Sequence, residues 1–142
     1  MRSKRARSGS SSLTTDTESP MRVLIVDDDT DFADLLAELL GRRGFIPRVA
    51  RDGEEAIRAF AQFRPQAALI DISLPTMSGC DLARRLRGLG TEAKLIALSG
   101  YARREDEDAS LAAGFDHHLV KPVRVDIIEA NLRGVALRRE PP

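Results

Sequence analysis

Cysteine and net charge are what this chain lacks. Cys80 is the single cysteine, so there is no intramolecular disulfide and no cysteine-based zinc site. A lone thiol fits a reducing compartment, and the expectation is a cytoplasmic protein. The 22 basic residues are cancelled by 22 acidic ones, so no overall field favours nucleic acid or an anionic membrane. No apolar run nears the roughly 18 residues of a membrane span. The basic N-terminus has no apolar core of the kind a signal peptide carries. At 142 residues the chain is about one domain long and can bury one sizeable core.

Against those absences stands one stretch, Val23-Leu24-Ile25-Val26 running into Asp27-Asp28-Asp29. A short, wholly apolar, mostly β-branched run suits a strand buried on both faces of a parallel sheet. Its acids fall where the strand ends, the edge where open α/β sheets bind ligands. Like charges so close are costly unless a cation or a lysine shares the site.

Residues 1–20 read as a disordered leader: Arg2-Ser3-Lys4-Arg5-Ala6-Arg7 is basic, and Leu13 is the one large apolar residue between Ser8 and Pro20. A basic contact arm is the sharper reading, with only four basic residues behind it. Removing those four and the acidic Asp16 and Glu18 from 22 of each sign leaves 18 basic and 20 acidic residues, a net of −2.

From Met21 strand and helix alternate. The first strand is Arg22–Val26, and Asp31 or Thr30 can cap a helix carrying Phe32, Leu35, Leu36, Leu39 and Leu40 on one face. Gly44 closes it. A strand at Ile46–Ala50 precedes a helix opened by Asp52-Gly53, with Ala56, Ile57, Phe60 and Phe63, stopped by Pro65. Ala67–Asp71 is a third strand, and after the Leu74-Pro75 loop Ser78-Gly79 opens a helix with Leu82, Leu86 and Leu89. Lys94–Leu98 is the fourth strand, ending at Ser99-Gly100. The helix about Arg103–Ala113 is weakly amphipathic, with a mostly alanine buried side. His117–Val120 then runs into Lys121-Pro122, and a last helix carries Val125, Ile128, Leu132 and Val135. Five such rounds predict an α/β fold: a parallel sheet with helices on both faces, joined by right-handed crossovers.

Functional side chains stand at four of the strand ends: Asp27 and Asp28, Asp71, Ser99, and Lys121. A parallel sheet puts all of these on one edge. Three carboxylates make a hard oxygen site suited to Mg2+. A lysine adds a point charge for a carboxylate or a phosphoryl group, and a hydroxyl can donate to a phosphoryl oxygen. The set suits holding phosphate on a carboxylate.

Asp27-Asp28, Asp71 followed by Leu74-Pro75 and Gly79, Ser99-Gly100, and Lys121-Pro122 together resemble the receiver domain of two-component response regulators. The likeness covers about residues 21–138, leaving 139–142 as a tail. It implies a doubly wound, flavodoxin-like (βα)5 fold with strand order 2-1-3-4-5. It also implies that Asp71 is the phosphoacceptor, attacking a phosphohistidine to give an aspartyl phosphate. Asp28 would then ligate Mg2+ or Mn2+ directly and Asp27 largely through water, with Asp71 and the backbone carbonyl of Ser73 completing the protein ligands. Lys121 would contact the phosphoryl oxygens, Ser99 would hydrogen-bond them and pull its loop inward, and Lys121–Pro122 would be cis. Partners follow by the same likeness: a histidine kinase or histidine phosphotransfer protein upstream and a protein target downstream. The regulator itself would be a monomer or a dimer formed on phosphorylation.

Two departures bear on behaviour. His118 occupies the aromatic switch position, and histidine is the side chain that changes charge near neutral pH. Ser73 and Tyr101 occupy the flanking positions that tune aspartyl-phosphate lifetime in this family. Only Glu140-Pro141-Pro142 follows the last helix, which leads to the expectation of no DNA-binding output domain and of a single-domain regulator, phosphorelay intermediate or hybrid-kinase segment.

Other readings fit less of the chain. Asp27 and Asp29 are spaced as in haloacid-dehalogenase phosphatases, but Asp31 stands where those want Thr or Val, and there is little room for a cap. Asp27, Asp29, Asp31 and Glu38 fall on ligand positions of an EF-hand loop, but Phe32 stands where that loop needs glycine. A receiver fold that works without phosphorylation usually lacks an acid, the acceptor or the lysine, and none is missing here. Asp29 and Asp31 themselves read as capping or solvated residues.

Overall fold

A strand buried on both faces must be apolar along its covered length, and β1 (Arg22–Val26), β3 (Ala67–Asp71) and β4 (Lys94–Ser99) meet that demand between their ends, at Val23–Val26, Ala67–Ile70 and Leu95–Leu98. In the computed structural model, which describes residues 19–100 and 103–134, alternate residues of each strand serve opposite layers. Val23, Ile25, Ala67, Leu69, Ile96 and Leu98 face one layer, with Ala33, Leu36 and Leu40 of α1 (Thr30–Arg42) and Ile128 and Leu132 of α5 (Val125–Arg133). Leu24, Val26, Ala68, Ile70, Leu95 and Ala97 face the other. There they meet α2 (Gly53–Phe63), α3 (Gly79–Gly88) and α4 (Arg104–Ala113) through Ala56, Ala59, Leu82, Leu86 and Ala113. With β2 (Ile46–Ala50) and β5 (His117–Val120) the sheet has five strands in the order β2-β1-β3-β4-β5, every neighbouring pair parallel. This is the flavodoxin-like receiver architecture, with the strand order the resemblance implied.

The helix ends follow local chemistry, with one correction. Neither Asp31 nor Thr30 caps α1: the N-cap is Asp29, whose carboxylate accepts from the Phe32 N–H. Asp52 and Ser78 cap α2 and α3 in the same way. Arg103, at the N-cap of α4, makes no side-chain cap bond, and α4 buries only Ser110 and Ala113. Two leucines assigned to apolar stripes lie outside the core: Leu35 is 56% exposed and Leu89, just past α3, is 69% exposed. Val135, the leader before residue 19 and the tail lie outside the described residues.

The corner opposite the strand ends is held by one arginine of α3. Arg87 donates to the carbonyls of Gly114, Thr91 and Ala93 at 3.0, 3.2 and 2.8 Å and to Asp116 at 3.0 Å. One guanidinium thus ties the end of α3, the C-cap of α4 and the starts of β4 and β5. The carbonyls carry the effect, because the Asp116 side chain is 46% exposed and such ion pairs contribute little. Arg87→Met is expected to lower stability by about 2–4 kcal/mol, read as a shift of the urea midpoint. An unchanged midpoint would mean that water replaces the arginine at all three carbonyls.

Candidate functional site

Asp27 continues the side-chain alternation of Val23 and Ile25, and Asp71 that of Ala67 and Leu69, so both carboxylates emerge on the α1/α5 side of the carboxyl edge. β1 and β3 are in register through Val26 and Ile70, which sets the two acids side by side. Asp27 is 1% exposed and Asp71 8% exposed, while Asp28 is open to solvent. Carboxylate oxygens of Asp27, Asp28 and Asp71 lie within 4.8 Å of one another.

A buried acid needs partners, and each has them. Asp27 Oδ1 accepts from the Asp29 N–H at 2.9 Å and Oδ2 from Lys121 Nζ at 3.0 Å. Asp71 Oδ1 accepts from the Ser73 N–H at 3.1 Å, and Lys121 Nζ lies 3.7 Å from Oδ2. These do not fully offset desolvation. Burial pushes the Asp71 carboxyl above its ordinary value, the Ser73 N–H opposes it, and the Asp27 and Asp28 charges add to the rise against the pull of Lys121.

The remaining positions come from β4 and β5. Ser99 is buried at the end of β4, paired in register with Val120, and its carbonyl accepts from the Lys121 N–H at 2.7 Å. The Lys121–Pro122 peptide is cis. His118 points toward α4. Its Nδ1 is 2.8 Å from Ser110 Oγ, and that hydroxyl is 2.8 Å from the Glu107 carbonyl. A carbonyl only accepts, so a hydroxyl proton donated to Glu107 leaves Oγ to accept from Nδ1–H. Nε2 is buried without a partner among the described residues. The fold therefore brings together Asp27, Asp28, Asp71, Ser73 and Lys121, and places Ser99 and His118 on the neighbouring strands. Tyr101 lies outside the described residues.

Two residues were not singled out from sequence. Ser110 read as part of a small-residue helix side, and its one signal was a hydroxyl among alanines. Phe32 read as core, although its ring also lies against Lys121. A cleft of about 890 Å3 lies at the other edge of the sheet, lined by Arg22, Arg64, Gln66 and Ala93 among others, so it is no part of this cluster.

The family model for the response regulator receiver domain matches residues 23–133. The chain belongs to the response regulator receiver domains. It is 33% identical over 122 residues to the response regulator MprA of Mycolicibacterium vanbaalenii, a match covering 86% of this chain and 53% of that protein. The chain thus spans about half the length of that curated relative. A CheY-like receiver domain protein from Methanospirillum hungatei superposes with a TM-score of 0.76 at 33% identity, covering 82% of this chain and 93% of the other. A Burkholderia pseudomallei response regulator, whose crystal structure contains a phosphorylated aspartic acid, a calcium ion and citrate, matches with a TM-score of 0.74 at 32% identity, over 79% and 66% of the two chains. A receiver is a two-component signalling module rather than a classical enzyme, and the acidic trio is typical of a receiver metal site. Among the described residues, no helix is long and apolar enough to cross a membrane.

Proposed function

We propose that this receiver takes a phosphoryl group on Asp71 from the phosphohistidine of a histidine kinase or histidine phosphotransfer protein. The observation that carries the reading is the placement of Lys121 Nζ between the buried Asp27 and Asp71 carboxylates. In the transfer an Asp71 carboxylate oxygen bonds to phosphorus as the P–N bond breaks, and the departing imidazole nitrogen keeps the electron pair and takes a proton. Lys121 balances the charge that arrives. Ser99 donates to a phosphoryl oxygen, and Ser73 and Tyr101 set how long the aspartyl phosphate lasts.

The donor set fits Mg2+ or Mn2+. Three carboxylate oxygens that lie within 4.8 Å of one another make a hard oxygen donor set of the kind these ions take. Asp27, Asp28, Asp71 and the Ser73 carbonyl would hold the ion, which when bound neutralises phosphoryl charge.

The proposed receiver spans 21–138, with the leader 1–20 and the tail 139–142 outside it, and works in the cytoplasm. Its output is a shift between two states read by a protein partner at α4, β5 and α5. The shallow anchoring of α4 supports this, and His118 is the side chain that would move with Ser99. The test is intact mass after incubation with acetyl phosphate and Mg2+. A phosphate adduct that chelator abolishes is the expected result. No adduct even from a phosphohistidine donor would overturn the proposal in favour of an interaction module that works without phosphorylation.

A further inference from the structure

Phe32 packs in the first turn of α1 against the layer built on Ile25 and Leu69. It also does something a core residue need not do: Lys121 Nζ sits 4.6 Å from its ring centroid, inside the roughly 6 Å reach of a cation–π contact. The arrangement is a closed circuit. Asp27 Oδ1 accepts from the Asp29 N–H, Asp29 Oδ1 accepts from the Phe32 N–H, the Phe32 ring faces Lys121 Nζ, and Nζ returns to Asp27 Oδ2. The cap of α1 therefore sets where the ring stands, and the ring stands at the lysine.

We infer that Phe32 is a positioning residue for phosphoryl transfer, its ring face holding the Lys121 ammonium between Asp27 and Asp71. This rests on the reading of Asp71 as the acceptor. Lysine is a point charge on a flexible stem. Of its two carboxylate neighbours, Asp27 is nearer, at 3.0 Å against 3.7 Å for Asp71, so charge alone draws the ammonium toward the acid that does not react. A ring face attracts a cation without a single preferred hydrogen-bond direction. Lys121 can then slide from Asp27 toward arriving phosphoryl oxygens while keeping its contact with Phe32.

The test is the rate of aspartyl-phosphate formation from acetyl phosphate with Mg2+ in the full chain. Phe32→Leu is expected to slow it by roughly tenfold and Phe32→Tyr to recover most of that loss. Packing is separated from electrostatics by replacing Phe32 with mono-, di- and trifluorinated phenylalanine, which keep the ring while draining its face of negative potential. The logarithm of the rate should fall stepwise along that series. A flat series, or Phe32→Leu at the parent rate, overturns the inference. If the series is flat while Lys121→Met is slow and Asp71→Asn takes no phosphate, the inference fails and the acceptor assignment stands. If Asp71→Asn is still phosphorylated, the acceptor assignment itself fails.

Discussion

Asp71→Asn is expected to take no phosphoryl group from any donor and to melt at a higher temperature than the parent at pH 7. The first half follows from chemistry, because an amide has no carboxylate to attack phosphorus. The second follows from linkage. Burial, helped by the Asp27 and Asp28 charges, holds the Asp71 carboxyl above 3.8 in the fold, so the folded chain binds that proton more tightly than the unfolded chain does. Ionised Asp71 therefore costs stability. The cost is absent below the unfolded value, grows as pH rises through the window up to the raised folded value, and is complete above it. The amide escapes it, so the gain should be full at neutral pH and vanish in melts run below about pH 3.8. Lys121 loses little by the change, since its closer partner is Asp27. A mutant that melts below the parent at pH 7 would mean that Lys121 more than offsets the desolvation of Asp71.

The strands and their order of charge were legible because each fact has a local signature. Val23–Val26, Ala68–Ile70 and Leu95–Leu98 are apolar throughout because both of their faces are covered, and acids directly after such runs must sit at strand ends. Parallel topology then brings Asp27, Asp71, Ser99 and Lys121 to one edge from distant parts of the chain. What escaped has no local signature. The partners of Arg87 are mainly three backbone carbonyls in two separate connections, and a carbonyl is present at every residue. Leu35 and Leu89 continue helical stripes past the width that the sheet covers. The Ser110–His118 bond joins an unremarkable helix serine to a strand histidine, and nothing in either segment announces the other. In the sequence Gly79 marks the opening of a helix, and its close approach to the acceptor strand appears only in three dimensions.

That approach makes Gly79→Ala a severe substitution. A Cβ at Gly79 would stand 2.6 Å from the Asp71 carbonyl oxygen and 2.8 Å from the Ile72 Cα. Both are backbone atoms, so neither can rotate away. The Gly79 N–H already donates to the Ile72 carbonyl at 2.8 Å, and Ser78 fixes the first turn of α3 by accepting from the Asp81 N–H. The added methyl group must push α3 and the end of β3 apart. Overpacking of this kind costs about 1–3 kcal/mol. Function should suffer more than stability, because the displaced atoms carry the acceptor, and a misplacement of about 1 Å costs on the order of 10²-fold in rate. The measurement is phosphorylation by acetyl phosphate beside a thermal melt. Gly53→Ala is the control: its Cβ would meet Met77 Sδ at 2.8 Å, the same crowding against a side chain that can swing aside. It should cost little in either assay. If Gly79→Ala is phosphorylated as fast as Gly53→Ala, the end of β3 is free to relax without moving its carboxylate, and the tight seating of α3 serves the fold alone.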